Sequence, residues 1–198
     1  VGANKGGYLA CLAKLVGKKG KVFAFEPLPH LAARLKTACA KLKWRQVEVR
    51  AAAASDKDGT AVLTTPSGDR HWESSLERND SPDAKKREVS TVRLDSYLGQ
   101  LEGQRLTAMK IDVEGHESSV IEGASELVTT KKPMLLVEVE AKHRADGDPG
   151  VFFEQMNELG YRGWFLREGV RQELEDFDAE CDQSEDSRHV NNFVFEPI

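Results

Sequence analysis

Long apolar runs are missing from this sequence, and with charged residues at 31% against 39% hydrophobic nothing in it could build a membrane-spanning helix. Cysteine is scarce. Cys11, Cys39 and Cys181 stand far apart and match no metal-ligand spacing; Cys11 and Cys39 fall within helical patterns as small core residues, so a reducing compartment, the cytoplasm, is the expected setting. Excess positive charge is missing as well: the formal net charge is -5, which argues against a nucleic-acid binder held by phosphate neutralisation. Short basic clusters such as Lys18-Lys19 and Lys85-Lys86-Arg87 read as solvated surface. No secretory signal is visible, although the chain does not start with Met and a removed leader stays open. Internal repeats and interior linkers are absent too, so residues 1–198 read as one domain with a full-sized core.

What is present centres on Met109-Lys110-Ile111-Asp112-Val113-Glu114-Gly115-His116-Glu117, where an apolar run passes straight into acids and a histidine. That is the profile of a buried strand, residues 106–113, ending in a site, because ligands of open α/β sheets sit at the carboxyl ends of strands. Strand alternation turns Asp112 and Glu114 to the same side, so both carboxylates can face one ligand. The plain alternative is that they cap the following helix, whose positive N-terminus favours acids.

The chain opens on Val1-Gly2-Ala3-Asn4-Lys5-Gly6-Gly7, a glycine-rich turn into a helix with Leu9, Leu12, Ala13 and Val16 at helical spacing. Such a turn brings backbone and helix N–H groups to a ligand, but Asn4 stands where the dinucleotide fingerprint has its second glycine. Residues 21–26 form an apolar strand ending in Glu26, about twenty residues after the turn, the separation at which an acid accepts the hydroxyls of a ribose. A helix follows over 29–42 with Leu31, Leu35, Ala38 and Leu42 as its stripe, then a third strand over 47–54 and a polar turn from Ser55 to Gly59.

Residues 60–65 read as a short extra strand, and the polar tract 66–87, with His71 and Trp72, as a lid over the ligand. Strand character returns at 89–94, then a short helix from Asp95. Beyond the central stretch come a helix over 118–130, a buried strand over 134–140 that again turns acidic, a helix stopped at Gly160, and closing strands at 161–166 and 191–195. The acidic segment 173–186 between those strands reads as a solvated loop.

Alternating strands and helices with acids at strand ends already describe an α/β nucleoside-binding sheet. Val1-Gly2-Ala3-Asn4-x-Gly6, Phe25-Glu26-Pro27, Ser55-Asp56-x-Asp58-Gly59, Leu94-Asp95 and Lys110-Ile111-Asp112-Val113-Glu114-Gly115 with Glu117, in that order over nearly the whole chain, resemble the FkbM family of S-adenosylmethionine-dependent methyltransferases. The resemblance implies a class I, Rossmann-like α/β fold of three layers. Its mostly parallel seven-stranded sheet would have the order 3-2-1-4-5-7-6 and an antiparallel last strand. It also implies that the central strand lies upstream of Val1. By the same resemblance Gly2, Ala3, Asn4 and Gly6 border the methionine end of S-adenosylmethionine, Glu26 holds the ribose, Ser55 and Asp56 lie near adenine, and Asp112 stands at the methionine moiety or reacting centre.

The implied activity is O-methylation of a sugar, glycan or natural product, with a small-molecule or glycan acceptor and neither nucleic acid nor membrane as partner. The reaction needs orientation and a base for the hydroxyl proton. Asp112, Glu114, His116, Glu140 and His143 are candidates; His116 is the best of them because imidazole titrates near neutrality and a free carboxylate well below it. Glu138 and Glu140 could share a metal with Asp112, but no ligand motif supports it, so no metal is assigned. The rival classes are a nicotinamide-dependent oxidoreductase and a binding domain that keeps the fold without turnover.

Overall fold

Val22–Phe25, strand β1, is apolar at every position because both its faces are covered. Val22 and Ala24 pack with Leu9 of helix α1 (Gly7–Leu15) and with Leu35 and Cys39 of helix α2 (Pro29–Lys41). On the opposite face Phe23 and Phe25 meet the Tyr97 ring edge-on, with centroids 5.7 and 5.2 Å apart. A computed structural model describes residues 1–66, 74–77, 83–144, 147–184 and 189–198.

Among the described residues the expected seven-stranded sheet is not formed, and three sheets of two, five and three strands stand in its place. β1 pairs in parallel with β2 (Val47–Arg50). In the five-stranded sheet β6 (Ala108–Ile111) pairs in parallel with β7 (Met134–Glu138); antiparallel β10 (Asn192–Pro197) follows, then β8 (Tyr161–Arg167) and edge strand β9 (Val170–Glu173). The third sheet sets β3 (Ala53–Ala54) parallel to β5 (Lys85–Val92), with β4 (Gly59–Thr65) antiparallel on its other side. Among the described residues no ladder joins β1 to β6. Residues 1–3 run between them and give one hydrogen bond to each side: Val1 N donates to Lys110 O at 2.7 Å and Ala3 N to Phe25 O at 2.9 Å.

Other expectations are corrected by packing. The single strand over 47–54 breaks at 51–52, and its two parts join different sheets. α2 buries Leu31, Ala32, Leu35 and Cys39, whereas Leu42 is exposed. Cys11 is exposed, because α1 turns Leu9 and Ala13 inward and Cys11, two residues from each, falls on the opposite face of the helix. The helix over 118–130 is two helices, α3 (Glu117–Glu122) and α4 (Ser125–Lys131), broken where Gly123 abuts the Ser55 carbonyl. Asp95 supplies the cap that α4 lacks locally, accepting from Leu127 N at 2.8 Å.

The acidic segment is ordered where described. Asp182, in the short helix α6 (Ala179–Asp182), is buried against Arg167, while Phe177 sits edge-on to Phe165 and Phe193. Helix α5 (Pro149–Glu158) closes the main core through Phe152 and Met156. Among the described residues no helix is long and apolar enough to cross a membrane.

Candidate active site

A cleft opens where the first turn, the end of β1, β3 and the end of β6 converge, lined among others by Gly2, Asn4, Glu26, Asp112, Glu114, His116 and Glu138. Gly2 (φ 72°) is there because no side chain fits: a Cβ would stand 1.7 Å from Asp112 O. The chain can therefore pass directly against the end of β6. Asn4 follows with φ 45°, and its N–H donates to Glu26 Oε2 at 2.7 Å while Leu28 N donates to Oε1 at 2.9 Å. Burial pushes the Glu26 carboxyl up from its ordinary value, and the two N–H groups pull against that rise. Each Glu26 oxygen keeps a lone pair beyond the one its N–H uses.

Ala3 and Gly6 do other work. Ala3 packs in the cluster under α1 and α2, and Gly6 caps α1 with φ 89°, where a Cβ would stand 2.7 Å from Leu35 Cδ2. Ser55 is buried beside the cleft. Its Oγ donates to Asp56 Oδ1 at 2.9 Å and lies 2.9 Å from His116 Nε2. That hydrogen bond is the main cause holding the Asp56 carboxyl below its ordinary value. On the other side of the ring, His116 Nδ1 lies 2.6 Å from Glu77 Oε1. With both nitrogens engaged, the imidazole takes a hydroxyl proton only by giving up Ser55 or Glu77.

Glu114 does not continue the strand. β6 ends at Ile111, and Glu114 (φ 53°) forms a turn that carries its carboxylate to His143 Nδ1 at 2.5 Å. Gly115 lets that turn approach, since a Cβ there would be 2.1 Å from His143 O. Ser74 and Leu76 line the cleft, and Ser75, 1% exposed, pairs with Thr64 and donates to Glu114 O at 2.7 Å. Of the tract expected as a lid, Lys85–Arg87 is strand, and His71 and Trp72 lie outside the described residues.

Sequence reasoning missed two features. One is the apolar wall of the cleft, Leu28, Leu31, Ala53 and Leu63, of which only Leu31 stood on a predicted stripe. The other is Lys110, 8% exposed, beneath Asp112 and Glu138: its Nζ lies 3.9 Å from Asp112 Oδ2 and 3.6 Å from Glu138 Oε2. Burial lowers the Lys110 ammonium from its ordinary value, opposed by those two carboxylates. A lysine at an inward strand position was the available signal. Among the described residues no group of three or more His, Cys, Asp or Glu is arranged to hold a metal.

The donor set fits S-adenosylmethionine. Asn4 Oδ1 is a buried acceptor with no partner among the described residues, at the edge of the cleft, and Gly2, also lining it, lets the first turn close against the backbone of Asp112. The cleft is acidic, which favours a cationic ligand. A pyrophosphate fits worse, because three of the turn's N–H groups are committed: Ala3 to Phe25 O, Asn4 to Glu26 and Gly6 to Ala3 O.

Compared with known proteins, residues 1–175 match the family model described as the methyltransferase FkbM domain. The fold is similar to a crystal structure of methyltransferase FkbM from Methylobacillus flagellatus KT, at 18% identity and a TM-score of 0.59, covering 98% of this chain and 41% of that one. The chain thus spans about two-fifths of the length of that structure's chain (41%). No curated protein matches.

Proposed function

The chain belongs to the FkbM methyltransferase family, and we propose that it transfers a methyl group from S-adenosylmethionine to a hydroxyl of a sugar, glycan or natural product. The observation that carries this reading is the meeting of Glu26 with the first turn: a buried carboxylate with spare lone pairs beside an orphaned Asn4 Oδ1, in an acidic cleft.

When bound, S-adenosylmethionine supplies a methyl group made electrophilic by its sulfonium. Glu26 would accept the ribose hydroxyls, Asn4 Oδ1 would accept an N–H, and Asp112, against whose backbone Gly2 lets the first turn pack, would face the positively charged methionine end. Leu28, Leu31, Ala53 and Leu63 offer adenine an apolar surface. Ser55 and Asp56 act on that end indirectly, through the hydrogen bond that fixes His116. The chain's contribution to rate is orientation, exclusion of water and acceptance of one proton.

Calorimetry with S-adenosylmethionine, S-adenosylhomocysteine and NAD tests the reading. Binding of the first two without NAD supports it, NAD binding turns it to an oxidoreductase, and no binding leaves a scaffold. A screen of hydroxyl compounds with methyl-labelled S-adenosylmethionine then separates O-methyl transfer from other acceptors.

A further inference from the structure

Asp112, Glu138 and Asn192 form a row across three adjacent strands. Asn192 is registered opposite Glu138, and Ile111 opposite Val137, which brings Asp112 level with Glu138 at the carboxyl ends of parallel β6 and β7. Lys110, two positions before Asp112 and so on the same face, fills the space beneath, its Nζ 3.1 Å from Asn192 Oδ1. Glu138 Oε1 accepts from Asn191 Nδ2 at 2.7 Å. Its Oε2 stands 3.6 Å from Lys110 Nζ, an ion-pair distance that leaves it without a hydrogen bond in the row.

We propose that Glu138 is the proton acceptor of methyl transfer, ionised while the cationic donor occupies the cleft and protonated once the neutral sulfide product has formed. This rests on the methyltransferase reading above. The acceptor oxygen forms its bond to the methyl carbon as the sulfur–carbon bond breaks with its electron pair to sulfur, and the hydroxyl proton passes to Glu138 Oε2. The sulfonium charge disappears and a proton appears beside it, so the net charge of the cleft is unchanged by the reaction.

Of the other acids of the cleft, Asp112 is assigned to the sulfonium, and Glu26 and Glu114 are held by partners of their own. Both Glu26 oxygens hold N–H groups and Glu114 is held by His143. On β7 itself, burial pushes the Glu140 carboxyl up, but Lys142 and Asn191 hydrogen bonds and the charges of Lys142 and His143 prevail and hold it at about 2, too weak a base. Around Glu138 stand Lys110 from β6 and Asp112 just past its end, Glu114 from the turn, Glu140 two residues on, Asn191 and Asn192 at the start of β10, and Tyr8 from α1. Burial first, then Asp112, push its carboxyl up against the pull of Lys110, to about 7. That is the range in which a base both accepts and releases a proton near neutrality.

The test needs no acceptor. The full chain is titrated at pH 7 with S-adenosylmethionine and, separately, with S-adenosylhomocysteine, in phosphate and in Tris, whose ionisation heats differ. With Glu138 titrating at about 7, the sulfonium ligand should displace about half a proton per chain and the neutral sulfide none. Glu138→Gln should bind both and abolish the difference. In the unmutated chain, the Glu138 carboxyl carbon followed by 13C NMR should read as ionised at pH 6 with S-adenosylmethionine and as protonated with S-adenosylhomocysteine. Equal proton release by the two ligands, a difference that survives in Glu138→Gln, or a carboxyl signal indifferent to which is bound overturns the proposal and leaves the methyltransferase reading standing. Binding of neither ligand removes both.

Discussion

His116 and Ser55 are locked to each other, with Nε2 2.9 Å from Oγ, and the lock extends at both ends, to Asp56 through Ser55 and to Glu77 through His116 Nδ1. Three hydrogen bonds between two carboxylates need three protons. Ser55 supplies one, so all three close together only when both ring nitrogens carry hydrogen. A ring so placed ties the wall of the cleft to residues 74–77.

His116→Ala should therefore act on stability. It leaves buried Ser55 without one partner and Glu77 without another, a loss of about 1–3 kcal/mol. Urea unfolding at neutral pH measures it, together with hydrogen exchange at Ser75, which should quicken. A change below about 0.5 kcal/mol with unaltered exchange would show that the lock carries no weight.

At the cofactor end, Glu26→Gln and Asp112→Asn should separate by ligand. Glu26→Gln should weaken S-adenosylmethionine and S-adenosylhomocysteine alike, by about ten-fold or more, since hydrogen bonds to a charged group are lost in both. Asp112→Asn should weaken the sulfonium ligand more than the sulfide, because only one of them carries that charge. Calorimetric affinities for both variants decide it; equal losses for Asp112→Asn would take Asp112 away from the sulfonium.

Gly123→Ala should destabilise although its backbone is ordinary for a helix end, with φ -74°. Alanine in such a conformation usually helps by a few tenths to about 1 kcal/mol. Here a Cβ would stand 1.8 Å from Ser55 O, so α3 or the 55–56 turn must move, at about 2 kcal/mol or more. Thermal unfolding reads the sign directly.

The Glu138 carboxyl also sets a pH dependence. Its folded value of about 7 lies above the ordinary 4.5, so between these the folded chain holds more protons than the unfolded one. The associated stability is fully present below about pH 4.5 and is lost as pH rises through about 7. Glu138→Gln should match the parent at pH 4.5 and exceed it at pH 8 by roughly 2 kcal/mol, less than the full shift implies because solvent screens a partly exposed carboxylate. Denaturation curves at the two pH values measure the gap.

Elements whose periodicity comes from burial on one side were readable in advance, such as α1, α2 and α5, and so were the apolar strands β1 and β7. Those set by contact with distant chain were not. The break at Gly123 exists because of Ser55, and β9, Val-Arg-Gln-Glu, has no apolar pattern because it is an edge strand paired only with β8. In the cleft, Glu26 was found by its spacing from the first turn, since that distance is local to one strand–helix–strand unit. Glu138 was read only as a possible metal ligand. What distinguishes it is the register of β6, β7 and β10 and the lysine beneath, none of which neighbouring residues in the chain reveal.

The two sides of the cleft give a bound ligand a mechanical meaning. Glu26 and Asn4 stand at the β1 side of the cleft and Asp112 and Glu138 at the ends of β6 and β7. A ligand gripping both banks is a rivet. It adds to stability by mass action, and it also makes the sheet of β1 and the sheet of β6 share a single fate, so that opening one requires opening the other.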